Sequence, residues 1–366
     1  MKFTCEKTQL VSAISVASRT VAQKSAISGL EGILVRAGVK VMLTGYNLET
    51  GITVSVDADV QENGACIMPA RLFFDIVRKL PDDTVSIQVD ENFKVSIKGG
   101  ISSFTITALS ADDYPELPDV DSEKGIRVPQ CELKAMISGT IFAVSENQAR
   151  PIHTGILFEV DNDSITSVAV DGYRLALRRY LPEESLERTL KFVAPAAALK
   201  EVEKILGDTE DPATFYPGSK HILFTIGDAT LVCRILEGDW RRVLPQNNPV
   251  KLVGNVSRLT DSIERVGLVI SEKLKSPVRC KFGDNSAEFR TISTIGEAYD
   301  VCPIAGDGKD LEIGFNCKYL LDALRAVPDS ECTLEMINGL SPIVLNPTEG
   351  NRYSYMVLPV RLKAGE

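Results

Sequence analysis

A chain of 366 residues, 44% of them hydrophobic, carries enough apolar material for the cores of two or three ordinary domains and reads as a soluble globular protein. No run approaches the roughly 18 to 20 apolar residues of a membrane span, and the opening Met1-Lys2-Phe3-Thr4-Cys5-Glu6 is not the start of a signal peptide, so a cytoplasmic protein is expected. The net charge of −10 taken alone argues against a nucleic-acid partner.

In chain order, Met1 to Cys5 read as a strand, and Leu10, Ile14 and Val21 follow at helical spacing. Residues 32–35 and 39–45 form two strands around a turn at Ala37-Gly38, and residues 52–56 alternate in period two. Next comes a short amphipathic helix. Pro69 sits where a first-turn proline costs no hydrogen bond, Leu72, Phe73, Ile76, Val77 and Leu80 share a stripe, and Pro81 stops the helix. Strands at 84–89, 93–97 and 103–108 complete the unit, and the polar, proline-containing residues 112–125 read as a linker.

The order then repeats. Residues 126–128, a helix through Leu133, Met136, Ile137 and Phe142, strands at 155–160 and 165–170, a second helix from Pro195 to Leu206, and strands at 213–216, 222–226 and 229–236 lead to a linker near residues 246–249. A third unit runs from Val250 through a helix holding Leu259, Ile263, Val266 and Ile270, a strand at 278–282 and a helix at 316–327, and it ends on the strand at 353–362. The second-helix starts Pro69, Pro195 and Asn316 lie 126 and 121 positions apart, and Gly32 and Gly155 lie 123 apart. One unit is thus written three times, each α+β with two helices on antiparallel sheet, over 1–124, 125–249 and 250–362 with a tail at 363–366.

Chemistry-bearing constellations are missing. The eight cysteines are scattered without a C-x-x-C pair and read as buried small hydrophobes. The glycosylation triplets at Asn162 and Asn255 are irrelevant to a cytoplasmic chain. His153 and His221 are the only histidines, and neither a nucleophile elbow nor a phosphate-cradling glycine loop occurs. Residues 305–310 lack the alternating ligands of a calcium loop and read as a hairpin turn. No enzyme, cofactor or metal is expected. Charge, by contrast, is segregated. Residues 6–24 and 70–80 carry +2 each, 129–144 and 195–206 carry none, and 255–275 and 316–327 carry +1 each, so the helices hold +6 and the remainder −16. Such a field suits a polyanion on the helix face, although exposed helix faces are also commonly cationic without a ligand.

Five stretches carry a resemblance: residues 66–81, residues 168–176 with Asp171-Gly172-Tyr173-Arg174-Leu175, Trp240-Arg241-Arg242-Val243-Leu244-Pro245, residues 312–324, and Val357-Leu358-Pro359-Val360-Arg361-Leu362. Together, in this order over residues 1–362, they resemble the β sliding clamp family of the bacterial replicative DNA polymerase. The resemblance implies the DNA clamp fold and a ring-shaped head-to-tail homodimer, helices inside and sheets outside, that encircles double-stranded DNA without reading its sequence. It further implies a hydrophobic pocket for peptides of the replicative polymerase's catalytic subunit, the clamp loader and other clamp-binding-motif proteins. The pocket maps onto His153, Val170, Gly172, Tyr173, Arg174, Leu175, Arg242, Val243, Met356, Val357, Leu358, Pro359, Val360 and Leu362. Arg174 is expected to hold a peptide carbonyl or carboxylate. The segment 236–240 departs from the family by lacking a Phe-Pro pair before its aromatic residue.

The DNA candidates are Lys24, Arg71, Arg78, Lys79, Gln148, Arg150, Lys200 and Lys204, of which Lys24, Gln148 and Arg150 match family positions on DNA-facing loops. The dimer candidates are Phe104 and Ile106 on a sheet edge and Val269 and Ile270 at a helix end. An acidic three-domain scaffold that binds proteins and never touches DNA stays open as the alternative.

Overall fold

The period-two stretches become antiparallel ladders, and two of the three sheets run straight through the expected repeat boundaries. The computed structural model describes residues 1–186, 188–238, 240, 248–270 and 276–362. Six α-helices occur among them: α1 (Lys7–Ala17), α2 (Ala70–Lys79), α3 (Gln130–Ile141), α4 (Ala196–Ile205), α5 (Val256–Gly267) and α6 (Cys317–Arg325). Among the described residues no helix is long and apolar enough to cross a membrane. The chain divides into two compact units, Met1–Leu133 with Ala197–Ile235 and Lys134–Ala196 with Leu236–Glu366.

The first unit holds a five-stranded sheet whose edge is Ser102–Thr107 and a nine-stranded sheet. In the latter, Thr50–Val56 pairs with Ala229–Arg234, in register from Ala229↔Val54 to Cys233↔Thr50. Each strand would otherwise expose a free edge, and joining them buries both rows of backbone donors and acceptors. That seam explains why residues 197–235 group with the first repeat. α1 lies on this sheet so closely that a Cβ at Gly45 would strike the Ala17 carbonyl, which is why glycine interrupts an otherwise bulky strand. α1 and α2 pack together.

On α2 the buried residues are Ala70, Phe73, Ile76 and Val77, with Leu80 just beyond. Full burial of a side chain the size of Phe73 is worth about 1.5–3 kcal/mol. Leu72, expected on the stripe, is 48% exposed, because at about 100° per residue it falls at the stripe's margin. The expected linker is only partly one. Tyr114 is buried with Leu30, Leu34, Tyr46 and Ile67, and its hydroxyl donates to the Thr44 carbonyl at 3.2 Å.

The second unit is built on a ten-stranded sheet in which Arg174–Tyr180 pairs with Tyr353–Val357, again joining two repeats. Its two helices with described caps start on asparagine. The Asn255 side chain accepts from the Arg258 N–H at 3.1 Å, and Asn316 accepts from the Tyr319 N–H at 3.3 Å. Two expectations fail here. α5 stops at Gly267, so Val269 and Ile270 lie beyond the helix in a turn where the Ile270 N–H donates to the Gly267 carbonyl. Residues 305–310 are not a hairpin turn but part of the long strand Glu297–Phe315, which pairs with Val278–Ile292. Register shifts around Asp284 absorb the extra backbone there, and the reversal itself is at residues 293–296, where the Ser293 N–H donates to the Gly296 carbonyl.

All eight cysteines are free, six of them buried, and burial pushes the thiols of Cys5, Cys66, Cys233 and Cys332 up to about 12, as inert as hydrophobes.

Candidate functional site

Within the second unit, strand alternation decides which terminal residues can line a surface. Cross-strand partners Leu175 and Met356 share one face, whereas Val357, opposite Arg174, turns into the core and is fully buried. Leu175 joins a cluster of Leu157, Val168, Leu177 and Val193, and Val170, Met356, Ile152, Leu236 and Trp240 pack against it. His153 meets the Trp240 ring edge-on with centroids 6.1 Å apart. Burial, and then the charge of Arg150, hold its imidazole below the ordinary value.

The chain beyond Val357 is held by backbone bonds. The Leu358 N–H donates to the Tyr173 carbonyl at 2.8 Å, and the Val360 N–H donates to the Gly314 carbonyl at 2.8 Å. A Cβ at Gly314 would come within 2.9 Å of the Val360 carbonyl oxygen and close on the Leu362 side chain. Leu358, Pro359 and Leu362 are half-buried, and Val360 is exposed. The result is an apolar strip of β-branched, leucine and methionine side chains, lying beside an extended backbone, with one aromatic wall.

That wall is organised by Arg174. Asp171 Oδ1 accepts the N–H groups of Tyr173 (2.8 Å) and Arg174 (3.0 Å), which shapes the turn in which Gly172 takes φ +94°. The Arg174 guanidinium donates to Asp171 Oδ2 at 2.9 Å and to Asp322 Oδ2 at 2.6 Å. It lies 4.4 Å from the Tyr319 ring centroid and 5.6 Å from that of Phe142. Tyr319 stacks on Tyr173 at 6.1 Å. Arg174, expected to hold a peptide carbonyl or carboxylate, is buried and already bonds two carboxylates, so a third carboxylate would meet net negative charge.

Three successive stretches match three family descriptions: DNA polymerase III beta subunit N-terminal domain over residues 1–118, central domain over 127–241 and C-terminal domain over 241–361. A solved structure from Eubacterium rectale, described as a candidate DNA polymerase III beta subunit, is 32% identical, superposes with a TM-score of 0.93, and is matched over 98% of this chain and 99% of that one. The chain belongs to the DNA polymerase III beta subunit family. The beta sliding clamp of Staphylococcus aureus is 29% identical over 99% of both chains. The Bacillus subtilis sliding clamp structure is 28% identical with a TM-score of 0.94, over 99% of this chain and 100% of that one. The clamp fold of three similar domains and the replicative, non-enzymatic character of the family follow from these matches.

Of the clamp-family pocket positions, the second unit brings Val170, Leu175 and Met356 into one apolar cluster with His153 against its Trp240, bonds Leu358 to Tyr173 beside Arg174, and leaves Val360 on Gly314 next to Leu362. Arg242 and Val243 lie outside the described residues, as does the tail from Lys363. Sequence reading missed Phe142, Tyr319 and Asp322. Tyr319 and Asp322 sit three residues apart on one face of α6, which was legible, but their partner Arg174 lies 148 positions away in the chain. In the segment that lacks the Phe-Pro pair, Leu236 and Trp240 pack on the cluster.

The cationic candidates are all exposed. In the first unit Lys24 is on the loop after α1, Arg71, Arg78 and Lys79 on α2, and Lys200 and Lys204 on α4. Arg71 lines an open cavity of about 590 Å³ with Ser15, Ser18, Gln23, Glu31 and Phe74. Arg78 bonds Asp75 at 3.3 Å and Lys204 bonds Glu201 at 2.7 Å, surface pairs of little energetic weight that a polyanion can displace. In the second unit Gln148 and Arg150 occupy the exposed loop after α3.

Of the dimer candidates, Phe104 is 41% exposed on the edge strand and Ile106 half-buried; Val269 and Ile270 are half-buried.

Proposed function

We propose that this chain is a cytoplasmic DNA sliding clamp, two copies of which close head to tail into a ring around double-stranded DNA. Its three domains are 1–124, 125–249 and 250–362. The ring tethers the replicative polymerase's catalytic subunit, the clamp loader and other clamp-binding-motif proteins by short peptides seated in the apolar pocket. The observation that carries this reading is the match, in order and over the whole chain, to the three domains of one family. Lys24, Arg71, Arg78, Lys79, Gln148, Arg150, Lys200 and Lys204 contact phosphates through mobile side chains and read no base, as a sliding ring requires. The exposed edge Ser102–Thr107 with Phe104 and Ile106 meets the third domain of the other copy near Val269 and Ile270. Covering an apolar edge this way also removes an aggregation hazard.

The pocket takes an extended peptide with hydrophobic anchors on Leu175, Met356, Leu358, Pro359 and Val360. Deleting residues 358–366 removes the bonds of Leu358 to Tyr173 and Val360 to Gly314. It should abolish binding of a Gln- and Leu-containing polymerase peptide while the dimer stays folded. A melting curve run beside the peptide titration separates lost binding from lost stability, and unchanged affinity of the folded truncated chain would place the peptide site elsewhere.

A further inference from the structure

We propose that Asp322 is a positioning residue for peptide binding: through the Arg174 guanidinium it fixes the Tyr173–Tyr319 aromatic pair as the pocket's rim. This rests on the peptide-pocket reading above. A structural need for charge balance at Arg174 is already met locally. Asp171 lies three residues away, bonds the guanidinium at 2.9 Å and shapes the turn through two backbone N–H groups. Asp322 is a second carboxylate, brought from α6, and it leaves the node with an excess negative charge.

What the second carboxylate adds is geometry. Asp322 sits one helical turn after Tyr319, so bonding it brings the guanidinium over the ring of its own helix neighbour, 4.4 Å from the centroid. Tyr319 in turn stacks on Tyr173, which is 62% exposed. An exposed tyrosine with no partner turns freely; this one is held between a stacked ring and a turn whose carbonyl also anchors Leu358. Asp322 thereby links α6, the 171–174 turn and the terminal strand at the rim of one apolar strip. A preorganised rim lowers the ordering cost when a peptide binds.

The test is a double-mutant cycle on the full-length protein, read by anisotropy of a fluorescein-labelled Gln- and Leu-containing polymerase peptide. Asp322→Ala and Tyr173→Ala should each weaken binding about five- to tenfold, and the double variant should be no weaker than the poorer single one, because Asp322 acts through the rim that Tyr173 forms. Multiplying costs would overturn the proposal, since a merely structural Asp322 loses the same factor with or without Tyr173. Wild-type affinity in folded Asp322→Ala would overturn it too. If Asp322→Ala melts below the assay temperature, Asp322→Leu, which keeps a similar volume but offers no acceptor to Arg174, carries the same cycle. The chain lacking residues 358–366 separates the two readings. If it binds like the wild type, the pocket itself is wrong, whereas lost binding there beside unaffected Asp322 variants sinks only the role of Asp322.

Discussion

Replacing Arg174 by alanine tests the energetics of the rim directly. The arginine side chain is 9% exposed, Asp171 11% and Asp322 21%, so the substitution leaves two largely desolvated carboxylates without their cation. Breaking a buried pair in this way costs about 3–5 kcal/mol. Two features of this site reduce the cost. Asp171 keeps two backbone N–H donors, and Asp322 retains partial access to water. Against that, the guanidinium's contact with Tyr319, worth about 0.5–2 kcal/mol, is also lost. The balance is a destabilisation of about 2–3 kcal/mol. For a unit of this size that lowers Tm by roughly 5–10 °C. Calorimetry with a parallel urea titration at constant m-value reads it. Arg174→Met, which restores volume but not charge, should recover only part of the loss. A Tm within a degree of the wild type in Arg174→Ala would show that the two carboxylates never depended on the guanidinium.

Other outcomes follow from the same structure. His153 is held below its ordinary 6.5, so the fold favours the neutral ring: the stability this contributes is complete above about pH 6.5 and is lost as pH falls through the folded-state value. Proton NMR should give His153, assigned by its loss in His153→Gln, a midpoint under 6.5, and a midpoint at or above that value contradicts the assignment of cause. Gly314→Val should push the terminal segment off its strand, since the new Cβ meets the Val360 carbonyl, and weaken peptide binding by about tenfold with the core intact. Equal affinity would show that the segment tolerates displacement. Ile270→Asp should yield soluble monomers by light scattering, and an unaffected dimer would put the interface elsewhere.

Much of this architecture was legible because its signals are local. Pro69, Phe73, Ile76, Val77 and Leu80 announce α2 without help from the rest of the chain, and the Asp171-Gly172 turn needs only its own side chain and a glycine. What escaped is long-range or depends on degree. Nothing near Thr50 says that its strand will pair with Ala229–Arg234, so the joining of the first two repeats into one nine-stranded sheet is invisible in the sequence. Periodicity puts Leu72 inside because it gives a direction and not the width of the buried sector. The sequence alone presents Arg174 as a cation for a peptide carbonyl or carboxylate, because its second partner, Asp322, lies in another repeat, and only the fold reveals the two carboxylates that it already bonds. The resemblance puts Val357 in the pocket, whereas alternation from Met356 turns it into the core. The α5 stop at Gly267 was missed since Leu268, Val269 and Ile270 continue an apolar run past it.

The central claim, that two copies form a closed ring holding DNA by topology, is tested most directly by loading the protein on nicked circular DNA, washing at high salt, and then linearising the circle. Salt would screen the phosphate contacts proposed for Lys24, Arg71 and Arg150 but cannot open a ring. The protein should therefore stay on the circle through the wash and run off once the DNA has ends. Loss from the intact circle in high salt, or retention after linearisation, would contradict the account and leave an acidic protein-binding scaffold in its place.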